Sequence, residues 1–182
     1  AAGPDLESVL AARGAGVDRL SETQSVPVAN LDVGGGTSNI AVYERGNLKG
    51  VCCLDIGGRL VRIEHGRLTY LFPKLQALVT AHDIPLKVGA PADEGTLRRV
   101  CDIMAGQLAQ ALHLESPDSC HAGLYTNGGS PLPGEMRPGA LCFSGGVADC
   151  VYGEAVEEAL RYGDIGALLG QAILDPPALP AV

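Results

Sequence analysis

The feature that most limits how this chain can fold is a glycine triplet set between two apolar, strand-like segments. The triplet is Gly34-Gly35-Gly36, and the segments are 28–33 and 38–44. Glycine adopts positive φ angles freely, and without a side chain its backbone can approach another molecule closely. A plain hairpin turn needs only two residues. The triplet therefore favours a ligand-binding loop, although a plain glycine-rich turn is the alternative.

The residues beside the triplet predict that its ligand is a magnesium-bound nucleotide. Successive backbone N–H groups in such a turn form a concavity that suits phosphate oxygens. Thr37, Ser38 and Asn39 follow the triplet and supply further donors. Asp32 cannot favour a phosphate directly, but its carboxylate can hold a hydrated magnesium ion that bridges to one. The loop is not a Walker P-loop, because the lysine of that motif is missing.

A second glycine pair follows an apolar strand near the end of the chain. The strand is predicted at 139–143, it runs into Ser144, Gly145 and Gly146, and a helix is expected to begin near Asp149. In open α/β sheets, ligands collect where strands end and helices begin. Paired glycines at this position let a flat ring or a ribose lie against the backbone, although Gly-Gly pairs are also common in plain loops.

The apolar periodicity predicts an α/β fold with a mixed sheet, in which an antiparallel meander is flanked by helices. The predicted strands are 28–33, 38–44, 48–54 and 139–143, with a hairpin about the turn at residues 65 and 66. The predicted helices are 4–13, 93–112, 149–162 and 164–174, the last of them capped by Asp164. The predicted connections are 17–27, 73–92 and 114–138, with a candidate short strand at 123–127.

Composition and cysteine spacing exclude several classes of function. The net charge of −8 argues against nucleic acid as a partner. There is no apolar run of about 18 residues, so we expect no membrane span, and the first residues do not resemble a signal peptide. None of the six cysteines forms a C-x-x-C pair, and the histidines lack metal-ligand spacing. We expect buried, reduced thiols in a cytosolic protein.

Other ionisable residues have simpler interpretations. Asp55 is expected to end a strand and cap the next turn, with a polar role near the cleft as the alternative. His65 is expected in a solvent-exposed turn. Glu154, Glu157 and Glu158 are expected on the solvated face of a helix. No catalytic base can be assigned.

The two glycine motifs, "LDVGGGTSN" and "FSGGVAD", together resemble the second phosphate motif and the adenosine motif of one superfamily of ATPases. That superfamily contains actin, sugar kinases and heat-shock chaperones. The segments "AGPDLES", "LDIGGRLVRIEHGRLTY" and "DIGALLGQAIL" extend the resemblance. Over nearly its whole length the chain is similar to the ethanolamine ammonia-lyase reactivating factors, the EutA family.

This resemblance implies a fold, a cofactor and a partner. The fold is one lobe of an actin-like, ribonuclease H-like ATPase, with an inter-lobe helix at 1–16, the second lobe at 17–175 and a flexible tail at 176–182. The family uses ATP and magnesium to expel damaged cobalamin from ethanolamine ammonia-lyase. Its members are cytoplasmic and are often associated with bacterial microcompartments.

The resemblance also implies roles for residues of this chain. Asp32 is expected near the magnesium, through water. The residues expected at the nucleotide are Gly34, Gly35, Gly36, Thr37, Ser38, Ser144, Gly145 and Gly146.

The chain departs from the superfamily pattern in one respect, since it contains neither the first phosphate loop nor the segment that returns to the first lobe. We therefore expect the second lobe of a longer protein, with the missing first lobe as its partner. We expect the isolated fragment to hydrolyse ATP poorly. Two alternatives stay open, namely a lobe of a small-molecule kinase and a non-catalytic protein-interaction lobe.

Overall fold

A computed structural model describes residues 3–134, 136–153 and 159–175. Its strands are β1 (Val28–Val33), β2 (Ser38–Glu44), β3 (Asn47–Leu54), β4 (Val61–Glu64), β5 (Arg67–Leu71) and β6 (Ala140–Ser144). Its α-helices are α1 (Pro4–Gly14), α2 (Val17–Thr23), α3 (Pro73–Ala81), α4 (Glu94–Ala111), α5 (Ala148–Tyr152) and α6 (Gly166–Leu174). Two 3₁₀ turns lie at His121–Leu124 and Thr126–Gly128.

The larger sheet has the strand order β3-β2-β1-β6. The strands β1, β2 and β3 pair antiparallel, whereas β1 and β6 pair in parallel. This confirms the predicted α/β class, the mixed sheet and the antiparallel meander. The parallel pairing aligns Asp32 with Ser144, so both glycine motifs leave the sheet at the same edge. The predicted hairpin is also confirmed, because β4 and β5 form a separate antiparallel pair.

The two faces of the sheet pack against different layers. Ile40 and Val42 of β2 belong to the main hydrophobic core. Ala41 and Tyr43 point the other way and pack with Ala12 in a smaller cluster. This alternation, expected for a strand buried on both faces, agrees with the sequence prediction.

The long helix α4 is the element that sequence periodicity predicts best. Its buried stripe consists of Leu97, Val100, Cys101, Met104 and Leu108. The Asp93 carboxylate caps the helix by accepting a 2.8 Å hydrogen bond from the Thr96 amide. Neither α4 nor any other helix in the described ranges is both long and apolar enough to cross a membrane.

Three segments differ from the sequence prediction. The predicted connection 17–27 contains α2, and the predicted irregular segment 73–92 contains α3. A proline suits the first turn of a helix, so Pro73 begins α3 rather than preventing it. The candidate strand 123–127 is replaced by the two 3₁₀ turns and one isolated bridge between Leu54 and Tyr125.

The predicted helix 149–162 is wrong in its extent. The observed helix α5 begins at Ala148 and ends at Tyr152, because Gly153 has an extended backbone. The prediction for α6 is close, since the helix begins at Gly166 and the Asp164 carboxylate accepts a 2.9 Å bond from the Gly166 amide. The segment 154–158, with its predicted glutamate cluster, and the predicted tail 176–182 lie outside the described residues.

All six cysteines are free thiols. Cys52, Cys53 and Cys101 are buried, as predicted, and Cys120, Cys142 and Cys150 are half-buried. Burial raises the pKa of Cys52 to about 12 and raises the pKa of Cys101 as well. These two residues therefore remain protonated and act as small apolar core groups.

Candidate functional site

The glycine triplet is packed directly against the loop that follows β3. The Gly58 amide donates to the Gly34 carbonyl at 3.0 Å, and the Arg59 amide donates to the Gly35 carbonyl at 2.7 Å. A Cβ on Gly57 would lie 2.6 Å from the Gly35 carbonyl group. Only glycine permits this approach without a backbone shift, so the two loops form one tight unit.

The loop after β6 packs against the end of β1, directly before the triplet. Gly145 has a φ of +82°, and a Cβ there would lie 2.6 Å from the Val33 carbonyl oxygen and 2.7 Å from the Asp32 carboxylate. The Val147 amide donates to the same Val33 carbonyl at 3.2 Å. The second glycine motif is therefore held against the end of β1 by contacts that exclude a side chain.

The segment before α6 completes the arrangement. The Ile165 amide donates to the Gly58 carbonyl at 3.0 Å. A Cβ on Gly58 would lie 2.7 Å from the Gly166 Cα atom. Four chain segments thus meet at the carboxyl-terminal edge of β1 and β6.

These segments enclose an open groove of about 450 Å³, within the usual range for small-molecule sites. The backbone part of its wall comes from Gly34, Gly35, Gly58, Gly146, Val147 and Gly166. The side chains that line it include Arg59, Asp149, Cys150, Tyr162 and Asp164. Both glycine motifs therefore contribute to the same groove. The remaining predicted residues of these loops, namely Gly36, Thr37, Ser144 and Gly145, adjoin the groove without lining it.

The amide groups of the triplet differ in what they can still bind. The Gly34 amide donates to the Thr37 carbonyl at 2.9 Å. Within the described part of the chain, the amides of Gly35 and Gly36 donate no hydrogen bond to the protein. A Cβ on Gly36 or Gly146 would meet nothing within 4 Å. The loop therefore presents two amides without a partner among the described residues, of which Gly35 lies under the Arg59 side chain and Gly36 has open space at its Cβ position. The amide of Gly34 is not one of them.

Ser38 lies apart from the other predicted site residues. It is fully buried, and its hydroxyl donates to the Ile56 carbonyl at 2.8 Å. The cause is the alternation of β2, which turns the Ser38 side chain to the core face together with Ile40. Ser38 was expected at the nucleotide, but in this structure its hydroxyl serves the core and does not line the groove.

A short polar row runs across the end of the sheet beside the groove. The Ser144 hydroxyl donates to the Asp32 carboxylate at 3.2 Å and accepts from the Asn30 amide at 3.0 Å. Asn39 is paired with Asp32 across the antiparallel ladder. The side-chain oxygens of Asn30 and Asn39 are buried, and neither has a hydrogen-bond partner among the described residues.

Oxygen atoms of this kind suit a hard cation, but the set is small. In the described ranges, no group of three or more His, Cys, Asp and Glu residues could hold a metal ion. Asp32 is the sole carboxylate in the polar row. The residues therefore fit magnesium that is held mainly by water and phosphate, and they do not fit a magnesium site made by protein ligands alone.

The positively charged side chain at the groove, Arg59, was not predicted from the sequence. Arg59 crosses Gly35, since a Cβ on that glycine would lie 3.1 Å from the Arg59 Cδ atom. Its Nε is 3.6 Å from the Asp164 carboxylate, and its side chain is 75% exposed. The pair Gly57-Gly58, in "LDIGGRL", was the sequence signal that could have identified this loop as part of the site.

Asp55 does not line the groove. Its carboxylate accepts a 2.5 Å bond from Lys74 Nζ and a 2.8 Å bond from the Thr126 hydroxyl. Asp55 follows the last residue of β3, as predicted. It does not cap the next turn but connects α3, through Lys74, to the second 3₁₀ turn, through Thr126. His65 lies in an exposed turn with a φ of +50°, which confirms its prediction.

A buried histidine outside the groove is fully engaged in a structural network. His121 Nδ1 lies 2.9 Å from the Gln107 side-chain oxygen, and its Nε2 lies 3.0 Å from the Tyr125 hydroxyl. Because the Gln107 amide nitrogen donates to Asp118, its oxygen accepts from Nδ1, and Tyr125 donates to Nε2. Burial lowers the pKa of His121 despite the opposing influence of Asp118. This imidazole is a neutral core group and not a catalytic base.

Comparison with known proteins agrees with the resemblance of the motifs. The family model described as "Ethanolamine utilisation protein EutA" matches residues 1–182. The chain is 34% identical over 183 residues to the ethanolamine ammonia-lyase reactivase EutA of Salmonella typhimurium, and 36% identical over 190 residues to that of Escherichia coli. Each alignment covers 98% of this chain and 38% of the relative, so the chain spans well under half of the length of these relatives. On the whole-chain match, this chain belongs to the EutA family of ethanolamine utilisation proteins.

Proposed function

We propose that the full-length protein containing this chain reactivates ethanolamine ammonia-lyase, using ATP and magnesium to expel damaged cobalamin. In this proposal the chain is the second lobe of an actin-like ATPase, and ATP binds between it and the missing first lobe. The names of the two relatives, as ethanolamine ammonia-lyase reactivases, support the lyase as the partner. The resemblance further suggests a cytoplasmic protein associated with a bacterial microcompartment.

The observation that carries the proposal is the groove shared by the two glycine motifs. Gly35 and Gly36 offer unused amides, which are the donors that phosphate oxygens require. Arg59 is the one cationic side chain among the residues named along this groove, and its guanidinium already lies within 3.6 Å of the Asp164 carboxylate. Gly146 brings the second motif to the same wall without a side chain to obstruct a ligand.

Magnesium is proposed to lie next to the groove, near Asp32. Its carboxylate is steadied by the Ser144 hydroxyl, which is in turn held by the Asn30 amide. Bound ATP and magnesium would supply the free energy that separates damaged coenzyme from the lyase. The residues of this lobe orient the phosphates and the hydrated ion, since no general base for another reaction is assigned to them.

The missing first lobe is proposed to pack beside α1. This helix exposes Leu6 and Leu10, one turn apart, with 51% and 56% of each residue accessible. An apolar pair of this kind is suited to contact with another part of the protein. The proposal therefore assigns α1 the role of inter-lobe helix. It assigns no contact with cobalamin to residues of this chain.

A reactivation assay with the full-length protein tests the proposal. The lyase is first inactivated with a damaged cobalamin, and activity is then measured after adding intact coenzyme, the protein, ATP and magnesium. We expect recovery that needs ATP, and a loss of at least about tenfold in the recovery rate for Asp32→Ala. The control is Glu64→Ala, which removes an exposed carboxylate on β4.

The reaction products separate the proposal from its alternatives. Release of free phosphate during recovery supports the reactivating ATPase. A phosphorylated small molecule would indicate a kinase. Recovery that is independent of ATP and unaffected by Asp32→Ala would favour an interaction lobe and contradict the proposed use of nucleotide.

A further inference from the structure

We infer that Tyr162 and Asp164 form a nucleoside subsite in the groove, with the base stacked on the tyrosine and a ribose hydroxyl bound by the carboxylate. This inference rests on the proposed function, because it specifies which part of the nucleotide enters the groove and what selects it. Neither residue belongs to the two glycine motifs. Both are placed at the groove only by the turn that precedes α6.

The charge along the groove argues against phosphate as its occupant. Two carboxylates, Asp149 and Asp164, line it together with one guanidinium, Arg59. That guanidinium is already within 3.6 Å of Asp164. The excess of negative charge disfavours phosphate oxygens, whereas carboxylates readily accept hydrogen bonds from uncharged hydroxyl groups. A ribose therefore suits the groove better than a phosphate.

The positions of the unused amides agree with this orientation. Gly35 lines the groove, whereas Gly36, Thr37 and Asp32 lie just beyond it. A nucleoside in the groove would leave its phosphates over the amides of Gly35 and Gly36. Asp32, the one carboxylate of the polar row, lies two residues before the triplet.

Tyr162 has the exposure and the support expected of a stacking platform. The residue is 63% exposed although it lines the groove. The Arg161 guanidinium lies over the ring, 4.5 Å from its centroid, and donates to the Tyr162 hydroxyl. The guanidinium covers one face of the ring and leaves the other face for a nucleobase, since every base has a π-face that can stack.

Asp164 is held in place by contacts that leave acceptor capacity. Its Oδ1 accepts from the Gly166 amide at 2.9 Å, and its Oδ2 is the atom near Arg59. An ionised carboxylate has about four acceptor positions, so a ribose hydroxyl can be added to these partners. This arrangement predicts discrimination between ribonucleotides and deoxyribonucleotides.

Calorimetry on the full-length protein tests the inference with four probes. They are a non-hydrolysable ATP analogue with magnesium, its 2′-deoxy and 3′-deoxy counterparts, and inorganic triphosphate with magnesium. We expect the ATP analogue to bind about tenfold more tightly than at least one deoxy counterpart. We expect Asp164→Asn, which keeps an oxygen for the Gly166 amide, to remove most of that preference.

The tyrosine is tested with the same probes. Tyr162→Ala should weaken binding of all nucleotides about tenfold and leave inorganic triphosphate unchanged, whereas Tyr162→Phe should bind like wild type. The matched control is Tyr70→Ala, since Tyr70 is another exposed tyrosine under an arginine, Arg62, and does not line the groove.

The outcomes separate the inference from the proposed function. If wild type binds the ATP analogue and both Tyr162→Ala and Asp164→Asn bind it equally well with the same sugar preference, the subsite is wrong and the proposed function stands. If Tyr162→Ala weakens inorganic triphosphate as much as nucleotide, stacking is also refuted. If wild type binds none of the probes at millimolar concentration, the nucleotide-dependent function itself fails.

Discussion

Two separate constraints exclude a side chain at position 145, which is occupied by Gly145. Its φ of +82° is unfavourable for other residues, and a Cβ would lie 2.6 Å from the Val33 carbonyl oxygen. Gly146, the next residue, has open space around its Cβ position. The two adjacent glycines therefore have different physical roles. Gly145 allows its loop to pack closely against the end of β1, whereas Gly146 leaves space for a ligand in the groove.

Replacement of Gly145 by alanine is expected to destabilise the fold. The strained backbone and the clash together should lower the free energy of unfolding by about 1–3 kcal/mol. Urea denaturation followed by circular dichroism measures this change. Gly146→Ala is the matched control and should unfold close to wild type. Equal denaturation midpoints for the two variants would show that the close approach at Gly145 is not a real constraint.

His121 gives a pH dependence whose sign follows from its burial. Its pKa is lowered from the ordinary value of 6.5, chiefly by desolvation, so the unfolded chain binds a proton more readily than the folded chain. Stability from this group is fully present above about pH 6.5 and is lost as the pH falls toward the lowered folded pKa. The free energy of unfolding should therefore decrease as the solution is acidified across this window.

Two variants check that this slope belongs to His121. His121→Gln should be less stable than wild type at neutral pH, because the network with Gln107 and Tyr125 is broken, and it should lose most of the slope near pH 6. His65→Asn, in an exposed turn that asparagine tolerates, should keep the slope. The assignment fails if the slope is unchanged in His121→Gln.

At the scale of whole elements, α4 anchors the main core. Leu108 is fully buried in its apolar stripe, whereas Arg99 of the same helix is exposed. Leu108→Ala should lower the free energy of unfolding by about 2–5 kcal/mol, since it removes buried methyl groups and leaves a cavity. Arg99→Ala should change it by less than about 0.5 kcal/mol. Chemical denaturation of both variants measures the difference, and similar midpoints would place α4 outside the core.

Elements with a regular local burial pattern could be predicted from the sequence. The stripe of α4 and the alternation in β2 are examples, because each side chain's environment repeats with the period of its own element. The helix α3 was missed although its buried residues Leu75, Leu78 and Val79 follow a helical spacing. The segment 73–92 was interpreted as irregular, whereas Pro73 supplies the preorganised first turn of the helix.

The candidate site was predictable in part, for the same physical reason. Gly35 and Gly146 were identified because strand-terminal glycines are a local signal. Arg59, Tyr162 and Asp164 were not assigned to the site, because their position depends on the packing of three distant loops. The strand of Ser38 was predicted with its observed bounds, 38–44, but the alternation that turns its hydroxyl to the core face together with Ile40 was not applied to this residue.

At the scale of the whole molecule, three features bear on the proposal that the chain is one lobe of a longer protein. The groove is open, Arg59 is largely exposed, and α1 presents two exposed leucines. The chain also spans only 38% of the length of the reactivases that it matches. These features agree with a lobe that contributes one wall of a nucleotide cleft, as the proposed function requires.

A crystal structure of the full-length protein with a non-hydrolysable ATP analogue and magnesium tests the central claim most directly. The account predicts phosphate oxygens at hydrogen-bond distance, about 3 Å, from the amide nitrogens of Gly35 and Gly36, with the hydrated metal next to Asp32. An analogue bound at another site, or one whose phosphates point away from these amides, would contradict the account.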